Sequence, residues 1–166
     1  MRIALVSTGG TIEKTYDQYA QVLANQVSIL DVMLASLELR GTALTRVALM
    51  NKDSLEMTDA DHDLIADTVG GLMDDHDGVI VVHGTDRLAK TGERMIERLE
   101  AIAIPVVLTG AMRPYALRNT DATQNLTEAL IAVQLLSAGV YVSMHNRVLQ
   151  FPGVVKDGLE GTFRNA

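Results

Sequence analysis

The sequence contains no cysteine. Disulfides, thiolate nucleophiles and cysteine-ligated metal sites are therefore excluded. Aromatic residues are scarce: Tyr16, Tyr19, Tyr115, Tyr141, Phe151 and Phe163. They are too scattered to form the stacking platform that single-stranded nucleic acid uses. Basic charge is also short. Fourteen lysines and arginines against 21 acidic residues leave a net charge of −7, which argues against a nucleic-acid partner, because that would need a basic face. No apolar run approaches the roughly 20 residues of a membrane span. The start, Met1-Arg2-Ile3-Ala4, lacks the basic, apolar and small-residue regions of a signal peptide. A cytoplasmic protein with no nucleic-acid and no membrane partner is the expectation. Internal repeats and low-complexity segments are also missing.

What is present is enough to fold. Hydrophobic residues make up 48% of the chain and charged residues 21%, and 166 residues suit one domain, 1–166, with a sizeable core. Strand-like and helix-like stretches alternate. Strands are expected at 2–7, 43–50, 79–82, 104–108 and 139–144, and helices at 28–39, 59–74, 88–100 and 121–137. Ser28 reads as the N-cap of the first helix with Asp31 at its third position, and Arg40-Gly41 as its end. Asp59, Asp61 and Asp63 read as a solvated first turn. A long loop is expected over 8–20, and an irregular chain after Met144. The alternation predicts an α/β fold: a doubly wound, mainly parallel sheet with helices on both faces.

Each expected strand ends in a polar cluster. These are Thr8-Gly9-Gly10-Thr11, Asn51-Lys52-Asp53-Ser54, His83-Gly84-Thr85-Asp86, Thr109-Gly110-Ala111-Met112-Arg113-Pro114 and His145-Asn146-Arg147, with Lys156 further on. In open α/β sheets ligands bind at that edge. The first cluster is neither a P-loop nor a dinucleotide fingerprint, since the required Gly and Lys spacings are missing. Thr11 and Thr85 could each serve as a nucleophile, which needs an adjacent base. Lys156 is the candidate base and Asp86 its orienting partner. His83, at a strand end, reads as structural, and the histidines at 62, 76, 83 and 145 show no metal-ligand spacing. Met112 and Met144 read as core or pocket wall. Arg113 suits either an anion or a tie within its own loop.

In this order, Thr8-Gly9-Gly10-Thr11-Ile12, His83-Gly84-Thr85-Asp86 and Thr109-Gly110-Ala111-Met112-Arg113-Pro114 closely resemble the amino-terminal domain of the bacterial-type asparaginase/glutaminase family. Asp53-Ser54 with Met57 resembles its substrate-binding loop, and Arg147-Val148-Leu149 followed by Lys156 its later lysine segment. The resemblance implies a cofactor-free amidohydrolase acting on the side-chain amide of L-asparagine. It casts Thr11 as nucleophile forming an acyl-enzyme, assisted by Tyr16, with Tyr19 the weaker candidate. Thr85, Asp86 and Lys156 form a second catalytic cluster. Asp86 would hold the substrate's α-amino group and Ser54 its α-carboxylate, with Gly10, Asp53, Gly84 and Ala111 lining the site. Backbone N–H groups of Gly10 and Gly84 would serve as oxyanion donors. No metal is implied. Typical members are far longer and carry a carboxyl-terminal domain; this chain resembles the short form, so a homo-oligomer in which a neighbour covers the site is expected. Leu55 and Glu56 stand where Gln and Asp are usual, and Gly153-Val154-Val155 where polar residues are. The alternatives are an amidase on glutamine or another small amide, and a non-catalytic amino-acid-binding subunit.

Overall fold

A computed structural model describes residues 1–25 and 28–166. The central sheet has six strands. In chain order these are β1 (Arg2–Gly9), β4 (Ala43–Lys52), β5 (Gly78–Val82), β6 (Pro105–Thr109), β7 (Gly139–Met144) and β8 (Arg147–Gln150). Their spatial order is β4-β1-β5-β6-β7-β8, and all pairings but the last are parallel. The runs that read as strands do so because both faces are covered. Every residue of β5 and β6 is buried. Along β1, Ala4 and Val6 enter the apolar layer formed with α2 (Asp59–Leu72) and α3 (Leu88–Arg98). Ile3 and Leu5 enter the opposite layer, with α1 (Leu30–Ala35) and α4 (Ala122–Leu135). This is the doubly wound, mainly parallel sheet that the alternation predicts.

Four local expectations are corrected. First, the long loop after β1 is structured. A 3₁₀ turn at Thr11–Glu13 leads into a hairpin of β2 (Thr15–Asp17) and β3 (Val22–Ala24), whose turn is held by the Asp17 carboxylate accepting from Tyr19 and Ala20 N–H groups. Second, α1 begins at Leu30 behind Ile29 and ends at Ser36. Ser28 lies one residue ahead of the N-cap Ile29; its hydroxyl donates to Glu13 at 2.5 Å and accepts from the Leu30 N–H at 3.4 Å. The Ser36 hydroxyl bonds back to the Met33 carbonyl, and Leu37 and Leu39 pack on the core outside the helical repeat. Third, the chain after Met144 is regular. His145 and Asn146 both take left-handed backbone conformations, φ 54° and 60°, which fits a two-residue hairpin turn and folds β8 antiparallel onto β7. A further hairpin, β9 (Val154–Asp157) with β10 (Thr162–Asn165), follows. Nor is the first turn of α2 merely solvated. Asp59 pairs with Lys90, Asp63 with Arg94, and Asp61 with Lys52 while closing a capping box with Thr58. The Lys52 hydrogen bond and the Thr58 N–H hold Asp61 down to about 2.

One packing detail is directly testable. Gly92 lies inside α3 against Phe151, and a Cβ there would sit 2.2 Å from the ring's Cζ. The ring is buried in the core and has nowhere to retreat. Gly92→Ala should therefore destabilise the protein by about 1–3 kcal/mol through overpacking, outweighing the roughly 1 kcal/mol gain in helix propensity. A midpoint in chemical denaturation equal to or above the wild type's would contradict this.

Candidate active site

Numbering only the five parallel strands in chain order, their spatial order is 2-1-3-4-5. In such a sheet the crevice opens where successive connections leave in opposite directions, between the first strand and the third. Here these are β1 and β5, the strands that end in Thr8-Gly9-Gly10-Thr11 and His83-Gly84-Thr85-Asp86. The Thr8 hydroxyl donates to the Val82 carbonyl at 3.0 Å and ties the two ends together.

The loops meet glycine against glycine. Gly10 has φ 81° and ψ −175°, a region that L side chains essentially do not occupy. A Cβ on it would lie 2.4 Å from both Cα and N of Gly84. Each glycine is followed at once by a threonine, so the backbone segments that carry Thr11 and Thr85 leave from this one contact. Gly84 also abuts Ser54, whose Oγ would be 2.5 Å from a Cβ at Gly84. Ser54 opens a short 3₁₀ turn, is 1% exposed, and its buried hydroxyl has no hydrogen-bond partner among the described residues.

Lys156, on β9, completes the cluster. Its Nζ donates to Thr85 Oγ1 at 3.0 Å and to Asp86 Oδ1 at 2.7 Å. Residues some seventy positions apart are joined in one hydrogen-bonded trio. Beneath it, buried His83 is pushed down to about 4 by desolvation and so is neutral. Its Nδ1 lies 2.8 Å from the Gly84 carbonyl, where it serves as donor, and its Nε2 lies 2.8 Å from the Thr91 hydroxyl. His83 thus fixes the backbone just ahead of Thr85.

The other expected site residues are placed differently. The Thr11 hydroxyl has no hydrogen-bond partner among the described residues. Tyr16 is 62% exposed on β2 and Tyr19 90% exposed at the hairpin turn. Asp53 gives its carboxylate to Lys14 at 2.6 Å and to the Leu55 N–H. The Lys14 bond, more than the N–H, lowers its pKa. Ala111 is buried in the α1/α4 layer. Gly10 is corrected as an oxyanion donor, because its N–H is already bonded to the Lys52 carbonyl at 2.9 Å; what it contributes is close approach.

Several supporting residues escaped sequence reasoning. Glu13, 1% exposed, accepts from the Gly9 N–H and from Ser28; burial pushes its pKa up. Asn25 donates to the Gly10 carbonyl at 2.8 Å. Together they fasten the hairpin's return to the Gly10 turn. A cavity of about 270 Å³ between hairpin and Ser54 turn is lined by Lys14, Leu23, Asn25, Asn51, Asp53 and Glu56. A charge directly after Thr11-Ile12 was the available signal for Glu13. Nothing in the sequence marks Asn25. No group of three or more potential ligands able to hold a metal occurs among the described residues, and no helix there is long and apolar enough to cross a membrane.

Comparison with known proteins agrees with this geometry. The family model "Asparaginase, N-terminal" matches residues 2–157. The L-asparaginase of Thermococcus kodakarensis is 31% identical over 151 residues, covering 90% of this chain and 45% of that protein. Its structure superposes with a TM-score of 0.89 at 29% identity, covering 99% of this chain and 51% of the other. A glutamyl-tRNA(Gln) amidotransferase subunit of Haloquadratum walsbyi is 34% identical over 145 residues, 86% of this chain and 33% of its own length. The chain thus spans about half, or less, of the length of these relatives. Fold, motif placement and a match along nearly all of the sequence lead to one conclusion: this chain belongs to the asparaginase N-terminal family.

Proposed function

We propose that the protein hydrolyses the side-chain amide of L-asparagine to L-aspartate and ammonia. The observation that carries this reading is the Lys156–Thr85–Asp86 trio set beside Thr11 across the glycine contact. Thr11 Oγ attacks the amide carbon, with Tyr16 assisting removal of its proton once the hairpin closes. The C–N bond breaks, the nitrogen takes up a proton, and ammonia leaves. Water then cleaves the threonine ester, with Thr85 and Lys156 serving the proton transfers, and L-aspartate is released. Asp86 receives the substrate's α-ammonium and the unpartnered Ser54 hydroxyl its α-carboxylate. The Gly84 N–H serves as an oxyanion donor.

The exposure of Tyr16, Tyr19 and Leu55 favours a homo-oligomer in which a neighbouring copy covers the site. A monodisperse monomer in light scattering would sink that part of the reading.

The test is ammonia release from L-asparagine and L-glutamine, for the wild type beside Lys156→Met. Removing a positioned proton-transfer group should slow turnover by about 10²–10⁴-fold with a far smaller change in aspartate binding. Equal turnover in the variant would refute the role of Lys156. The similarity to the glutamyl-tRNA(Gln) amidotransferase protein, with Leu55 and Glu56 beside Ser54, favours a second reading: an amidase on another small amide, or a subunit working with a protein partner. Aspartate binding without release from either amide supports that second reading over the first.

A further inference from the structure

Asp121 sits behind the Ala111 loop and is almost wholly buried. Four donors converge on its carboxylate. The Met112 N–H (3.0 Å), the Asn125 amide (2.9 Å) and His145 Nε2 (2.7 Å) reach Oδ2, and the Arg113 N–H (2.9 Å) reaches Oδ1. An ionised carboxylate only accepts, so it suits this position and an amide would not. The same Asn125 side chain donates to the Gly110 carbonyl at 2.9 Å. Ala111 is therefore held from both sides, through Gly110 and through Met112 and Arg113.

His145 joins this knot to the other half of the site. Its backbone N–H donates to Asn125 Oδ1 at 3.1 Å, its Nε2 to Asp121, and its Nδ1 lies 3.1 Å from the Thr162 hydroxyl. Thr162 begins β10, where Phe163 pairs directly with Lys156 of β9. One imidazole thus spans from the loop that carries Ala111 to the hairpin that carries Lys156. We infer that His145 is a positioning residue that sets the Lys156 hairpin in register with the Ala111 loop, so that the trio and that loop are held as one unit. Its catalytic consequence rests on the amidohydrolase reading; its structural consequence does not.

The test compares His145→Phe with His145→Gln. Both place a non-glycine side chain at the same left-handed position, so they share that backbone cost. Only glutamine retains a donor for Asp121. In His145→Phe, amide hydrogen exchange at Met112, Arg113 and Arg164, which is opposite Val155 in the β9/β10 ladder, should accelerate about tenfold, the effect of losing one hydrogen bond to a charged acceptor, while Val81 in the core strand stays unchanged. On L-asparagine, kcat should fall by a similar factor, with glutamine restoring most of it. Thr162→Val cuts the far end alone and should accelerate exchange at Arg164 but not at Met112; it also serves if the phenylalanine variant does not fold. Wild-type exchange at all three amides in His145→Phe, or unchanged exchange at Arg164 in Thr162→Val, overturns the inference. A wild type that releases no ammonia defeats the functional reading and leaves the exchange result to decide this one.

Discussion

Thr11→Ala should abolish ammonia release from L-asparagine, lowering turnover by at least about 10³-fold, while leaving the fold intact. The two halves of this expectation have separate grounds. The hydroxyl is the atom that would carry the acyl group, and no other group can take over a covalent step made through it. Structurally it is inexpensive to remove: it is only half-buried and has no hydrogen-bond partner among the described residues. The turn it begins is held by the backbone, with the Lys14 N–H on the Thr11 carbonyl, and alanine keeps that bond. Stability should stay within about 0.5 kcal/mol of the wild type. Thr85 is the competitor, since it already touches Lys156. Intact-mass measurement during turnover of a slow amide separates the two. An acyl adduct lost in Thr11→Ala and retained in Thr85→Ala assigns the nucleophile to Thr11. The reverse pattern exchanges the roles, and normal turnover in both variants removes threonine nucleophiles from the reaction.

The parts of this fold that can be read from sequence are those whose signal is local. Val79–Val82 and Val106–Leu108 are continuous apolar runs because helices cover both faces of the sheet there, and the polar clusters lie at strand ends where ligands bind. The short strands lack such a signal. β2, β3, β8, β9 and β10 hold three or four residues each, and they form through pairing rather than through a pattern of their own. His145-Asn146 becomes a turn through left-handed conformations that asparagine tolerates but histidine rarely announces. Lys156 reads as a candidate base, but that it reaches Asp86 follows only from β9 folding back to the loop after β5, a placement that no spacing in the sequence shows. Asp121 opens the expected helix, and its carboxylate holds the Ala111 loop, which its sequence position does not show. Burial pushes its pKa up, and the Met112, His145 and Arg113 donors outweigh that and hold it below the usual carboxylate range. The stability this contributes is present above the unfolded-state value and is lost as pH falls through the folded one.

Gly10→Ala should damage both the site and the fold. Two effects combine. The backbone at Gly10, φ 81° and ψ −175°, is strained for alanine by about 1–3 kcal/mol. The added Cβ would also meet Gly84 Cα and N at 2.4 Å and His83 C at 3.0 Å. These are backbone atoms at the end of the fully buried strand β5, so no side chain can swing aside. Ordinary contact needs about 3.4 Å, so the two turns must separate by about 1 Å, and a displacement of that size in a reacting geometry costs on the order of 10²-fold in rate. Gly10→Ala should therefore lose at least about 10²-fold in turnover and about 2–5 kcal/mol in stability. Gly41→Ala isolates the first effect: Gly41 has φ 74°, yet nothing lies within 4 Å of its would-be Cβ. It should cost about 1 kcal/mol and leave turnover unchanged. If the two variants behave alike, the cost is backbone strain only and the glycine contact does not set the spacing of Thr11 and Thr85. If Gly10→Ala alone loses turnover while still folded, the close approach of the β1 and β5 turns is what holds the two hydroxyls at working distance.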